Sequence, residues 1–240
     1  MKFLNWNNIR LILMFTLVIF LYSFTSNRNS KRKLTKSEVI FVGENNNFIK
    51  QETVNKLLIE NNSDVKTIAK ENLNLNKLEN SINENPMVEK SEVFVSVDGV
   101  LKAVVKQKTP IARVFDESDS FYIDYEGNRM PISAVSTARV PLISGDINDK
   151  INKKLSKVLK IIYNDEFLKK NIIGVEVLSD ESLMMTNRNY DFKIEFGKMM
   201  NEEQKFKNYK AFFQKAVLDT MLDNYKKINL RFTHQVICTK

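Results

Sequence analysis

Apolar positions change their spacing along the chain, and each change marks a different kind of structure. From Leu11 to Phe24 they are almost continuous, and no charge falls between Arg10 and Arg28. The uncharged run from Leu11 to Asn27 meets the lower limit of roughly 17 residues for a bilayer-crossing helix. Trp6 and Tyr22 lie near its ends, as interfacial aromatics do. A cleaved signal peptide would carry an A-x-A-like site after the run. Tyr22-Ser23-Phe24-Thr25-Ser26 is a poor match, so an uncleaved anchor over residues 9–27 is expected behind a short tail, 1–8. Residues 28–36 then read as a basic juxtamembrane linker.

From Ser37 the pattern is that of a water-soluble body. Val39, Phe41 and Val42 predict a short strand ending at Gly43. Val54, Leu57 and Leu58 form a helical stripe within 51–61, and Leu75, Leu78 and Ile82 a second. Asn76 with Glu79 three residues on predicts a capping box. Asn85-Pro86 should end that helix, because proline disfavours helical backbone in the residue before it. The run 93–97, Asp98-Gly99 and the run 100–105 predict a hairpin with a type I′ turn. The order is therefore β-α-α-β-β.

A second block opens near Pro110. Strands are expected at 121–124 before a turn at Glu126-Gly127-Asn128, at 140–143 before Gly145, and around 173–178, 183–186 and 191–196. Phe192, Ile194 and Phe196 alternate with charged residues, which predicts one buried and one wet face. Leu155, Val158, Leu159 and Ile162 share one helical face. A further helix, capped by Asn201 with Gln204, should bury Phe206, Tyr209, Phe213, Val217 and Met221 and close at Lys226-Lys227, where cations suit the dipole. The last stretch, 228–238, reads as one strand. Ile228, Leu230, Phe232, Val236 and Cys238 share a face with His234; Asn229, Arg231, Thr233 and Gln235 share the other.

Charge and rare residues narrow the chemistry. The net charge is +8, but residues 1–36 hold seven Lys/Arg and no acid, leaving 30 basic against 29 acidic residues in the body, a net of +1. The excess is a membrane-flanking collar suited to anionic lipid. It is not a phosphate-tracking surface, so nucleic acid is not an expected partner. One Cys and one His exclude an internal disulfide, a Cys-cluster metal site and a His-pair zinc site. Any Ser-His-Asp triad would depend on His234 alone. Gly is scarce at six residues, with no G-x-G-x-x-G and no P-loop. No metal, cofactor or catalytic residue is expected. Asp116, Glu117 and Asp119 lack the spacing of a calcium loop and read as solvated. Asp124 beside Glu126 reads as turn chemistry before Gly127 rather than a catalytic pair. Cys238 reads as an inert thiol.

The order of parts is similar to that of the FtsQ/DivIB family of bacterial cell-division proteins. The resemblance rests on Phe41-Val42-Gly43, on Asn85-Pro86-Met87-Val88 followed by Val93, and on Gln107-Lys108-Thr109-Pro110-Ile111-Ala112, which resembles an "E-R-x-P-x-A" junction. It also rests on Tyr122-Ile123-Asp124-Tyr125-Glu126-Gly127, on Pro141-Leu142-Ile143-Ser144-Gly145, and on Ile228-Asn229-Leu230-Arg231-Phe232, which resembles "i-D-L-R-Y". Gln107 and Lys108 stand where the family has Glu and Arg, and Asn229 and Phe232 where it has Asp and Tyr.

The resemblance implies an α+β protein: an N-terminal transmembrane helix, a POTRA domain over 37–109, and a mixed α/β "β domain" over 110–240 with an antiparallel sheet and a C-terminal edge strand. It implies a non-enzymatic divisome scaffold that recruits and regulates septal cell-wall synthesis. Its partners would be FtsB/DivIC-like and FtsL-like membrane proteins, the first added as a strand at Arg231, Phe232, Thr233, His234 and Gln235. The alternative for Leu230 and Phe232 is core filling, with Arg231 a solvated edge residue. The resemblance also implies a single pass through the cytoplasmic (inner) membrane at the division septum, with the N-terminus inside and the body outside. The positive-inside rule favours the opposite orientation, since Arg28, Lys31, Arg32, Lys33 and Lys36 follow the apolar run. Two other readings compete: a POTRA-type adaptor for envelope-protein assembly or secretion, and a membrane-anchored hydrolase. The alternating segments are too few and short for a following barrel, and no nucleophile motif supports the hydrolase.

Overall fold

A computed structural model of the chain describes residues 6–30, 32–43, 48–59, 73–115, 120–145 and 149–240. The expectations on residues 1–5, on 60–61 and on Asp116, Glu117 and Asp119 lie outside the described residues. Two compact bodies form: one from residues up to Gly43 and Ile49–Gln107, the other from Phe48 and Lys108–Lys240.

The first body begins with α1 (Trp6–Ser30), long and apolar enough to cross a membrane, with Leu13, Phe15 and Phe20 exposed along it. Of residues 28–36, read as a linker, the described ones are largely structured. α1 runs on to Ser30, Leu34 is buried to 2% exposure in the core, and β1 (Lys36–Val42) starts at once. Then come α2 (Gln51–Ile59), α3 (Leu75–Asn83), β2 (Val88–Val95) and β3 (Val100–Gln107). The sheet order is β1-β3-β2, with β1 parallel and β2 antiparallel to β3. Val54 with Leu58, and Leu78 with Ile82, are pairs four residues apart, so each helix turns one face onto Val39, Leu101, Ala103 and Val105 of the sheet.

Two local expectations change here. The N-cap of α3 is Asn74, whose side chain accepts from the Lys77 N–H, not Asn76. Glu79 turns to the sheet instead, where its carboxylate accepts from the Val93 N–H on the outer side of β2 at 3.2 Å. The hairpin turn has positive φ only at Gly99 (+83°). The Gly99 N–H donates to Ser96 O, and Ser96 N–H to Val100 O. That is a three-residue loop ending in a left-handed glycine, not the two-residue I′ turn.

The second body is one nine-stranded sheet backed by helices. Its elements are β4 (Pro110–Phe115), β5 (Ser120–Asp124), β6 (Arg129–Pro131), β7 (Leu142–Gly145), α4 (Asp149–Asn164), α5 (Glu166–Asn171), β8 (Ile172–Val177), β9 (Ser182–Asn187), β10 (Lys193–Lys198), α6 (Glu202–Leu218), β11 (Lys227–Asn229) and β12 (Ile237–Thr239). The strand order is β12-β11-β10-β9-β8-β7-β4-β5-β6. The sheet is mixed rather than antiparallel throughout: β4–β7, β7–β8 and β10–β11 are parallel. Leu155, Val158, Leu159 and Ile162 of α4 and Phe206, Tyr209 and Phe213 of α6 share a core with Ile143, Val175, Met185, Ile194, Phe196 and Ile228. Asp124 has the turn role expected of it: its carboxylate accepts from the Asn128 N–H at 2.7 Å and pairs with Lys108 at 3.4 Å. Glu126 faces Lys160 instead, at 3.9 Å.

The C-terminal quarter departs most from the sequence reading. α6 stops at Leu218, not at Lys226-Lys227, and Val217 and Met221 are not buried. Thr220 turns left-handed (φ +52°) and the Met221 N–H reaches back to Ala216 O, a helix-terminating pattern. Lys226 and Lys227 instead lead into β11. Asn201 sits at the N-cap of α6, yet its side chain makes no cap bond, and Gln204 donates to Asn208. The stretch 228–238 is not one strand. The Asn229 side chain accepts from the Arg231 N–H at 2.9 Å. Such a local bond from Asn favours a turn, and the chain bends over 230–236 before returning antiparallel as β12.

A candidate partner-binding edge

β12 is the outermost strand at one end of the nine-stranded sheet, and β6 at the other. β12 pairs with β11 through Lys227–Thr239, Ile228–Cys238 and Asn229–Ile237. The Thr239 carbonyl accepts from the Lys226 N–H at 2.8 Å and so points inward. Alternation along an antiparallel strand then turns the N–H and C=O of Cys238 outward. Ile237 and Thr239 are exposed, while Cys238 and Val236 lie half-buried against the core. Burial pushes the Cys238 thiol up, which keeps it protonated and unreactive at neutral pH.

The other sheet edges are partly occupied. β6 is three residues long and ends in Pro131, which has no N–H to offer. In the first body, the outer side of β2 is occupied by side chains of α3: Ser91 N–H donates to Asn83 at 2.7 Å and Val93 N–H to Glu79. On β1, Gln51 of α2 donates to Val39 O at 3.1 Å.

The five residues expected to bind a partner lie in the bend that joins β11 to β12, not on a strand. Leu230 is buried and its N–H donates to Glu195 O at 2.8 Å. Arg231 then lies over β10, with its guanidinium 3.9 Å from the Glu195 carboxylate. Phe232 is not core: it is 48% exposed. The Thr233 carbonyl accepts from Asn208 of α6 at 2.8 Å. His234 and Gln235 are exposed.

Four supporting residues escaped the sequence reading. Glu195 stands where strict alternation predicts a wet position, yet it is only 9% exposed, roofed by Lys227 at 2.8 Å and by Arg231. Gly197 sits at a register shift in β10 with φ +74°. A glycine late in an alternating strand is the one signal that foretold it. Asn208 gave no signal. Lys205 is 2% exposed, and its ammonium donates to Phe196 O at 3.0 Å and Lys198 O at 2.7 Å, holding the end of β10. Burial lowers its proton affinity below that of an ordinary lysine. The site offers backbone hydrogen bonds, the exposed ring of Phe232 and the cations Arg231 and Lys227. Among the described residues no cluster of three His, Cys, Asp or Glu side chains gathers to hold a metal.

These features define a class: a single-span membrane protein carrying a small β-α-α-β-β module and a helix-backed mixed sheet. Residues 37–106 match the model of the POTRA-like domain, and residues 109–239 match that of "FtsQ/DivIB, C-terminal related". The second match covers more than half of the chain, and the chain belongs to the FtsQ/DivIB family. The family is of the non-enzymatic division-scaffold type, which gives this protein a scaffold role in cell division. Among solved structures, the major extracytoplasmic domain of the cell-division protein DivIB from Geobacillus stearothermophilus is similar at 12% identity, with 47% of this chain and 95% of that one covered and a TM-score of 0.30. No curated protein matches the chain.

Proposed function

We propose that this protein is a non-enzymatic divisome scaffold that captures an FtsB/DivIC-like and FtsL-like partner pair by adding a partner strand to β12. In this reading the complex recruits and regulates septal cell-wall synthesis, with the body outside the cytoplasm. The observation that carries it is the contrast between edges. On β2 two outward N–H groups are taken by α3 side chains, β6 is three residues long and ends in Pro131, and one carbonyl of β1 is taken by Gln51, whereas β12 presents an outward N–H and C=O together with exposed Ile237 and follows a bend that carries exposed Phe232. An open edge is a template for strand addition. A three-residue edge is a modest one. Tethering both partners to one membrane raises their effective concentration to the millimolar range, so modest pairing suffices.

The test replaces Phe232 or Arg231 by Ala in the full chain and measures capture of the partner pair from membranes. Weakened capture with unchanged thermal unfolding supports the reading; full capture by both variants overturns this site.

A further inference from the structure

Three consecutive carbonyls at the tip of the β2–β3 hairpin are held by the segment that leaves α1. The Arg32 guanidinium donates to Val97 O at 3.2 Å. The Thr35 hydroxyl donates to Asp98 O at 3.4 Å, and the Thr35 N–H to Gly99 O at 2.8 Å. Gly99 permits the approach: its φ is +83°, and a Cβ there would lie 3.1 Å from the Lys33 carbonyl oxygen. Between these contacts Leu34 is anchored in the core. The hairpin tip and the chain leaving the span are thus fastened together.

Val97, at the tip, is 87% exposed. It lines one open groove with Tyr22, Ser26, Arg28, Asn29 and Arg32, the last turns of α1 and its exit. The height of that groove follows from the helix. Leu11 to Asn27 spans about 25 Å at 1.5 Å per residue, less than a hydrocarbon core of about 30 Å. An embedded α1 therefore draws Arg28 to the boundary, and the groove with Val97 in it lies at headgroup level. Arg28, Arg32, Lys33 and Lys36 are exposed around it and outnumber Asp98, the acid at the tip.

We propose that the Val97–Gly99 tip is a lipid-contacting surface. Val97 sits among the headgroups of an anionic membrane, and Arg28, Arg32, Lys33 and Lys36 meet lipid phosphates. The bilayer then fixes the height and tilt of the first body, which a flexible linker would leave free. This rests on α1 being embedded in the membrane.

The experiment uses the full chain in vesicles containing phosphatidylglycerol and brominated lipid. Trp6 is the only tryptophan, so its quenching in the unaltered protein reports whether α1 is embedded. A Trp6→Phe, Val97→Trp protein reports the tip, and a Trp6→Phe, Lys90→Trp protein serves as a water-exposed reference on β2. The expected result is a blue-shifted tip signal quenched several-fold more than the reference, falling towards it when Arg32→Gln removes the tie. A tip signal quenched no more than the reference, with Trp6 quenched, overturns the proposal, as does quenching that ignores Arg32→Gln. An unquenched Trp6 overturns the membrane anchor itself.

Discussion

Arg231 crosses the sheet directly over Gly197: a Cβ built on Gly197 would lie 2.8 Å from the Arg231 Cγ. The missing side chain gives the arginine stem room to lie on β10 and bring its guanidinium towards Glu195. Gly197→Ala should therefore act twice. The left-handed backbone of a non-glycine residue costs about 1–2 kcal/mol, and the arginine must also move away. Thermal unfolding of Gly197→Ala and of Gly197→Ala with Arg231→Ala separates the two, since the double variant should recover the contact penalty and keep the backbone strain. Equal stability of all three proteins would contradict this geometry.

Asn208 is the tie between α6 and the bend. Asn208→Ala removes one side-chain hydrogen bond to a half-buried carbonyl, about 1 kcal/mol. The expected outcome is little change in global unfolding but faster amide exchange over 231–235 and weaker partner capture.

Lys205 holds two carbonyls at the end of β10. Lys205→Met keeps much of the volume and leaves both oxygens without their ammonium, at about 1–3 kcal/mol. Denaturant unfolding should show that loss. Lys205→Arg should not restore it, because a planar fork does not fit a site shaped for a compact ammonium.

Asp165 sets an acid dependence. Its carboxylate caps α5 by accepting from the Phe167 and Leu168 N–H groups at 3.0 Å and meets the Lys210 ammonium. Burial alone would raise its proton affinity; the bonds from Lys210 and from the two N–H groups outweigh burial and hold the carboxyl below its usual range. The unfolded chain thus protonates first as pH falls, so this stabilisation is full above about pH 4 and disappears as pH drops through the lower folded value. Asp165→Ala should be less stable at neutral pH by about 1 kcal/mol or more, and unfolding curves of the two proteins should converge in acid.

Much of this architecture was legible in the chain because the deciding signals were local. The β-α-α-β-β order followed from stripes such as Leu78 with Ile82 and from the Asp98-Gly99 turn. The core of α4 followed from Leu155, Val158, Leu159 and Ile162. Turn details were less legible, since Ser96 and Gly99 close a three-residue loop by backbone bonds that sequence does not show. The C-terminus misled for a physical reason. Residues 228–238 alternate as a strand does, yet Asn229 bonds to the next turn and bends the chain, which lifts Phe232 out of the face it shares with Leu230 in sequence. The supports of the bend come from β10 and α6, distant in sequence, so Glu195, Asn208 and Lys205 had no local signature. The five candidate residues, 231–235, lie in a bend rather than along a strand.

We propose that a partner strand joins the sheet at β12. Amide exchange of the full chain in membranes, with and without the partner pair, tests it most directly. Strand addition at β12 requires the outward Cys238 N–H to become protected on binding, together with the exposed bend at 231–235, while Arg129–Pro131 stays unchanged. Binding that leaves the Cys238 amide exchanging freely and protects another edge would contradict it.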